Sequence, residues 1–278
     1  MHSHFIEVIV VDNDPCGSAE TIIDELRPPF FRKGIAIIYE IESHQGIASA
    51  RNHAVSLANG KYVAFIDDDE TASHLWLTSL YNTLIMFGVD GVWGPVVPQF
   101  PPDFPKWQRP FFKRPRFVSG TDMSSKSKGT GNALIKSECL KLRNGPFNTF
   151  LDLIGGSDTD LFLWLSKKSL RFVWCDEAVV YELQPISRST TRWHIKRAYR
   201  GGWGFSYNKS MHLGRAKSFV LVVLWIPPTL IVNMIKALGH RCHKSILLEW
   251  LRIISTQLGK LGYFLGFISR EYLPKKAL

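Results

Sequence analysis

Four acids, Asp67-Asp68-Asp69-Glu70, follow directly on the apolar stretch Tyr62-Val63-Ala64-Phe65-Ile66. That stretch has the length and the β-branched and aromatic content of a buried strand. Carboxylates crowded at the carboxyl end of such a strand repel one another and lose solvation. Something must offset that cost. A divalent cation carrying a phosphorylated ligand is the simplest candidate, because hard cations take oxygen ligands and share them with phosphates. The competing reading of the same run is a solvated turn followed by a helix N-cap.

The rest of the first two thirds alternates strands with helices. Glu7 to Val11 reads as a strand ending in Asp12-Asn13-Asp14-Pro15, and Ile35 to Tyr39 as another. Helices are predicted over Thr21 to Leu26, stopping at Pro28-Pro29, and over Ile47 to Ala58, with Gly60 beyond its end. A further helix is predicted over Thr71 to Phe87, closed by Gly88, and a strand over Gly91 to Val97. The proline-rich stretch Pro98 to Arg116 reads as a long loop. Order resumes at Gly129 to Ile135. Gly155-Gly156-Ser157-Asp158-Thr159-Asp160 opens a helix to about Ser169, and short strands follow at Arg171 to Trp174 and Ala178 to Glu182. This alternation predicts an α/β fold with a mostly parallel sheet flanked by helices.

Beyond Ser187 the composition changes. Arg188, Arg192, His194, Lys196, Arg197 and Arg200 form a basic stretch that Gly201-Gly202 is expected to end. It reads either as a holder of pyrophosphate or lipid headgroups or as a solvated helix face. Phe219 to Ile235 is apolar, short of the roughly 20 residues a span needs, and interrupted by Pro227-Pro228. It suits an interfacial or re-entrant segment better than a clean span. Ile246 to Ile268 is amphipathic, with Lys244, Arg252, Lys260 and Arg270 available to headgroups. The net charge of +10 fits an anionic membrane surface or phosphorylated substrates. Nucleic acid is not expected as a partner: no nucleic-acid-binding motif is present, and the acid cluster repels a phosphate backbone. Cys16, Cys139, Cys175 and Cys242 lack zinc-site or disulfide spacing and read as free thiols.

Four motifs stand in order: Val10-Val11-Asp12-Asn13-Asp14, Gly46-Ile47-Ala48-Ser49-Ala50-Arg51-Asn52, Ala64-Phe65-Ile66-Asp67-Asp68-Asp69-Glu70, and Gly155-Gly156-Ser157-Asp158-Thr159-Asp160. With the Asn132-Ala133-Leu134 segment, they make the chain resemble family 2 glycosyltransferases of the GT-A fold over about Glu7 to Tyr207. Within that family it is similar to bacterial transferases of succinoglycan-type exopolysaccharide biosynthesis. The resemblance implies that Asp12 contacts the uracil or ribose of a sugar nucleotide, that Arg51 lies near the nucleotide, and that Asp67 and Asp68 belong to the same nucleotide-sugar pocket. It implies that Asp67 and Asp69 are the acids of a D-x-D motif serving Mg²⁺ or Mn²⁺, and that Asp158 is the general base of an inverting enzyme. The chemistry agrees. A nucleoside diphosphate leaves only when its growing charge is met, and an acceptor hydroxyl needs a carboxylate within hydrogen-bond reach to take its proton. Each residue also has a plainer reading: Asp12 as a turn former, Arg51 as a surface helix residue, Asp158 as an N-cap.

The chain departs from that family in three places. Members begin with a further strand before the one that resembles Val8 to Val11, so the chain is expected to be N-terminally truncated, with its first strand missing and backbone groups unpaired in the gap. Ser157 stands where a glutamate is usual. Tyr181-Glu182 stands where many members have a histidine that completes the metal shell, and Glu182 is the candidate substitute. The expected organisation is a GT-A domain over 1–207 and a helical membrane-associated segment over 208–278. The expected function is inverting transfer from a UDP-linked sugar donor to a lipid-linked oligosaccharide or polysaccharide acceptor, at the cytoplasmic face of the inner (plasma) membrane. The alternative from another class is a truncated non-catalytic remnant or carbohydrate-binding scaffold.

Overall fold

The computed structural model describes residues 6–126, 129–152, 154–239 and 242–267. The elements run β1 (Ile6–Asp12), α1 (Glu20–Phe31), β2 (Ile35–Ile41), α2 (Ile47–Leu57), β3 (Tyr62–Ile66), β4 (Glu70–Ala72), α3 (Trp76–Phe87), β5 (Gly91–Trp93) and β6 (Val96–Gln99). They continue with β7 (Asn132–Lys136), α4 (Ser137–Lys141), α5 (Ser157–Leu165), β8 (Phe172–Trp174), β9 (Val180–Leu183), α6 (Thr191–Leu213), α7 (Arg215–Ala237) and α8 (His243–Leu265). The chain divides into two compact units. Their described residues fall within 6–96 and 115–181 for the first and within 97–114 and 182–267 for the second.

In the first unit β1 and β2 form a separate parallel pair, in register from Ile6 opposite Ile35 to Asp12 opposite Ile41. A four-stranded sheet has the order β3-β7-β5-β8. Its β7 runs antiparallel to both neighbours, and β5 and β8 are parallel. The expectation of a mostly parallel sheet is therefore corrected to mixed sheets. The central strand accounts for the change: β7 follows the long 100–131 connection and enters from the opposite end. Its alternation then serves two cores. Ala133 and Ile135 pack with Trp93, Phe162 and Phe172, while Leu134 packs with Leu80, Leu84 and Val92.

Local punctuation behaves unevenly. Gly88 ends α3 in the left-handed conformation (φ 58°), a position where glycine carries no Cβ penalty. Pro28-Pro29 does not stop α1, which runs on to Phe31 and lets the Pro28 carbonyl accept from Arg32 N. The expected helix start at Thr71 is replaced by the short strand β4, and α3 begins at Trp76. The expected strand over Gly91 to Val97 is two strands broken at Gly94-Pro95. There a side chain on Gly94 would stand 2.3 Å from the Ala178 carbonyl and 2.5 Å from Asn132 Nδ2.

The second unit is mainly α6, α7 and α8, with a 3-10 turn at Lys106–Phe112 inside the proline-rich segment. Gly201-Gly202, where the basic stretch ends, lie inside α6, which continues to Leu213. The pair allows close contact. A Cβ on Gly202 would lie 2.0 Å from the Thr256 carbonyl oxygen, and one on Gly259 would lie 1.9 Å from the Tyr199 carbonyl oxygen, so α6 and α8 meet backbone to backbone. Pro227-Pro228 lies inside α7, which is one helix of 23 residues. Among the described residues, α7 is long and apolar enough to cross a membrane by length and composition. It is not the short, broken segment expected from the prolines. The expected amphipathic segment corresponds to α8; Ile268 and Arg270 lie outside the described residues.

Candidate active site

The four-acid run folds as a tight turn. The Glu70 amide donates to the Asp67 carbonyl at 3.1 Å, and Glu70 Oε2 accepts from the Asp67 amide at 3.1 Å. The run does not cap α3, whose N-cap position is Leu75. Asp67 points back to α2, where Arg51 Nη2 donates to its Oδ1 at 3.0 Å. The Arg51 guanidinium also lies over the Phe147 ring, 5.7 Å from its centroid. Burial holds the Asp67 carboxyl above its usual range; Arg51 opposes that rise, and the charges of Asp69 and Asp158 add to it. Asp69 and Asp158 thus both bear electrostatically on Asp67.

Glycine makes this convergence sterically feasible. A Cβ on Gly131 would stand 2.7 Å from Glu70 Oε1 and 2.9 Å from Asp67 Oδ2, and one on Gly129 would stand 3.1 Å from Asp158 Oδ2. The segment entering β7 therefore passes directly against both carboxylate groups. Between the glycines, the Thr130 hydroxyl is buried and has no hydrogen-bond partner among the described residues. The same holds for the Ser157 hydroxyl, next to Asp158.

Asp158 lies in the first turn of α5, after Gly155 and Gly156 in left-handed conformations (φ 83° and 96°). The N-cap position is Gly156, so Asp158 is not the cap; its Oδ1 accepts from the next amide, Thr159 N, at 2.7 Å. The helix N-terminus stabilises its negative charge. Asp68 and Asp69 are exposed.

Asp12 has a different setting. It accepts from Asp14 N, Ala19 N and the Tyr39 hydroxyl, each at 2.9 Å. Burial pushes its carboxyl up, but those hydrogen bonds outweigh it and leave the carboxyl below its usual range. Burial and the bond to Asp12 push Tyr39 up to about 12. Asp12 therefore organises the loop after β1, and no hydrogen bond or ion pair among the described residues joins it to the Asp67 cluster.

Asp152 had no signal in the sequence. It is buried, and its carboxylate accepts from Ala48 N (2.7 Å), Ser49 N (2.9 Å) and the Ser49 hydroxyl (2.6 Å), closing the N-terminus of α2 from 103 to 104 residues away. Gly46 is required beside it, since a Cβ there would lie 2.1 Å from Asp152 Cγ. Asn52 exchanges two hydrogen bonds with the Phe147 backbone, each at 2.8 Å. The Gly46 to Asn52 motif is thus a device that fixes α2 and so aims Arg51 at Asp67.

Whether these residues suit a divalent metal depends on the ligand count. Among the described residues, no three His, Cys, Asp or Glu side chains form a ready cage. A Mg²⁺-type site needs only one or two carboxylates when phosphates supply the remaining oxygens. Asp67 with its raised carboxyl and the neighbouring Asp69 meet that requirement. Glu182, the sequence candidate for the metal shell, lies in the second unit, where Arg114 and Arg188 hold its two carboxylate oxygens.

The chain is similar to known proteins. The chain is 34% identical over 199 residues to succinoglycan biosynthesis protein ExoM of Rhizobium meliloti (strain 1021), covering 71% of this chain and 63% of that protein. It is 38% identical over 73 residues to an uncharacterized glycosyltransferase of Rickettsia bellii (strain RML369-C), covering 26% of this chain and 10% of that one. The chain thus spans less than two thirds of the length of either relative. The crystal structure of S. aureus TarS 1-349 in complex with UDP superposes with a TM-score of 0.50 at 14% identity, covering 94% of this chain and 83% of that one. The same TarS fragment without ligand gives 0.50 at 16% identity. The likeness establishes an α/β fold of the GT-A type. The glycosyl transferase family 2 profile matches residues 3–142, and the chain belongs to that family.

Proposed function

We propose that the protein is an inverting glycosyltransferase that moves a sugar from a UDP-linked donor to a lipid-linked glycan during exopolysaccharide synthesis. The observation that carries this reading is the mutual approach of Asp67, Asp69 and Asp158, with the Asp67 carboxyl raised by its surroundings and tied to Arg51. The similarity to a succinoglycan biosynthesis protein supports the pathway, and the UDP complex of the structural neighbour supports the donor.

In this reading Asp158 takes the proton of the acceptor hydroxyl as the new C–O bond forms. Asp69 with Asp67 would hold a Mg²⁺ or Mn²⁺ ion, which would supply Lewis-acid stabilisation of the leaving diphosphate. Arg51 keeps Asp67 ionised and oriented. Asp12 shapes the loop that receives the nucleotide, and Asp68 lines the same pocket.

Membrane association is the second half of the proposal. The face of α7 bearing Leu224, Trp225, Ile231 and Ile235 is exposed, a larger apolar surface than a soluble monomer usually shows. We assign the segment 208–278 to adhesion at the cytoplasmic face of the plasma membrane, where the net positive charge favours anionic lipid. Replacing Leu224 and Ile231 together by glutamate is expected to move the full-length protein from pelleted anionic vesicles to the supernatant. Undiminished pelleting of the folded variant contradicts the assignment.

A further inference from the structure

The second unit contains a cavity of about 370 Å³ whose lining includes none of Asp12, Arg51, Asp67, Asp69 and Asp158. Its walls come from α6, α8, the end of the proline-rich segment and the residues after β9. Five cations line it, Lys113, Arg114, Arg188, Arg197 and Arg252, against two carboxylates, Glu182 and Glu249. Glu182 is shared by Arg114 and Arg188, and Glu249 is 2.6 Å from Arg252. For Lys113 and Arg197 no carboxylate partner is found among the described residues.

Three further features describe an anion site and not merely a charged surface. His194 is buried against the cavity, where burial, Arg252 and Arg197 push it down to about 4. It is therefore neutral at physiological pH, and its Nε2 lies 3.2 Å from Gln108 Oε1, whose amide in turn donates to the Ser189 carbonyl at 2.8 Å. Arg197 retains exposed surface, yet loss of solvent around its guanidinium and the charges of Arg200 and Arg114 hold it below the usual arginine range. Positive groups crowded this way repel one another unless an anion is present. One wall is a flat apolar surface: Trp193 stacks on Phe112, with centroids 5.5 Å apart and planes at 18°.

We infer that this cavity binds a diphosphate group, with the uncharged remainder of the ligand against the Trp193–Phe112 stack. A net excess of three positive charges matches a diphosphate better than a single carboxylate, and guanidinium groups engage phosphate oxygens in pairs. The same diphosphate chemistry occurs in a lipid-linked acceptor and in free diphosphate. The acceptor source rests on the proposed function; the anion site itself does not.

The test is calorimetric titration of the full-length protein in EDTA, which silences metal-dependent binding at the Asp67 cluster. Inorganic diphosphate is one probe and a soluble short-chain prenyl diphosphate the other. Wild type is expected to bind inorganic diphosphate, and Arg197→Gln with Lys113→Gln to weaken it about tenfold or more, the loss expected for charge-assisted hydrogen bonds. Arg197→Lys is expected to restore part of that loss. Lys113→Gln alone, an exposed change, provides the reading if the double variant fails to fold. No binding by wild type, or unchanged affinity in the folded variants, overturns the inference. Tighter binding of the prenyl probe supports a lipid-linked source, whereas equal affinities support the site and overturn that source. The titration repeated on Asp158→Asn separates this site from the proposed transfer reaction, because binding is expected to persist there unchanged.

Discussion

Arg51 and Asp67 are joined at 3.0 Å between α2 and the end of β3. Burial and the neighbouring acids raise the Asp67 carboxyl, and Arg51 is the group that opposes the rise. Replacing Arg51 by methionine is therefore expected to raise Asp67 further. Activity that needs the Asp67 carboxylate is then lost at a higher pH on the acid side than in wild type. A pH profile of donor turnover reads the shift, and an unmoved acid limb separates Arg51 from the site.

Asp152 is expected to matter for stability before chemistry. Asp152→Ala leaves the amides of Ala48 and Ser49 and the Ser49 hydroxyl without their acceptor. Buried donors left unpaired cost roughly 1–3 kcal/mol each, and lost caps about 1 kcal/mol. For three such donors the total loss is expected to be roughly 3 kcal/mol or more, measured by denaturant unfolding. Asp152→Asn, which keeps one acceptor oxygen, is expected to lose less.

The α6–α8 contact makes a steric prediction. Gly202→Ala places a methyl group where the Thr256 carbonyl oxygen is 2.0 Å away, so one of the two helices must shift. Overpacking of this kind costs on the order of 1–3 kcal/mol. Gly204→Ala, a change with open space around it, is the control and is expected to leave the melting temperature unchanged or slightly raised.

His194 gives the second unit a pH dependence. Its folded-state value, about 4, lies below the 6.5 of an ordinary histidine, so the unfolded chain binds the proton more readily. Stability is expected to be complete above the unfolded value and to decline as pH falls from about 6.5 toward 4, by about 3 kcal/mol at most. Thermal melts across that window are expected to show a shallower slope for His194→Gln than for wild type.

Much of the first unit was legible because its signals are local. The apolar runs at Ile6–Asp12, Ile35–Ile41 and Tyr62–Ile66 are strands, and Gly88 ends α3 where its spacing placed it. What escaped the sequence depends on distant partners. The antiparallel course of β7 depends on which end of the sheet the preceding loop reaches, and nothing in Asn132 to Lys136 states this. Gly201-Gly202 and Pro227-Pro228 read as breaks in isolation. In the structure, packing against Thr256 turns the first pair into a contact surface, and the second pair is absorbed within a 23-residue helix. The acids of the candidate site were visible as residues, but the Gly129 and Gly131 passage and Asp152 become apparent only when segments distant in sequence, 104 residues apart for Ala48 and Asp152, are brought together.

Turnover of a UDP-sugar with Mn²⁺ tests the central claim most directly, comparing the full-length wild type with Asp158→Asn and Asp69→Ala. Loss of the proton acceptor is expected to lower turnover by about 10²–10⁴-fold, and loss of Asp69 is expected to abolish its dependence on Mn²⁺. Turnover unchanged in both folded variants contradicts the assignment of this acid cluster as the catalytic site.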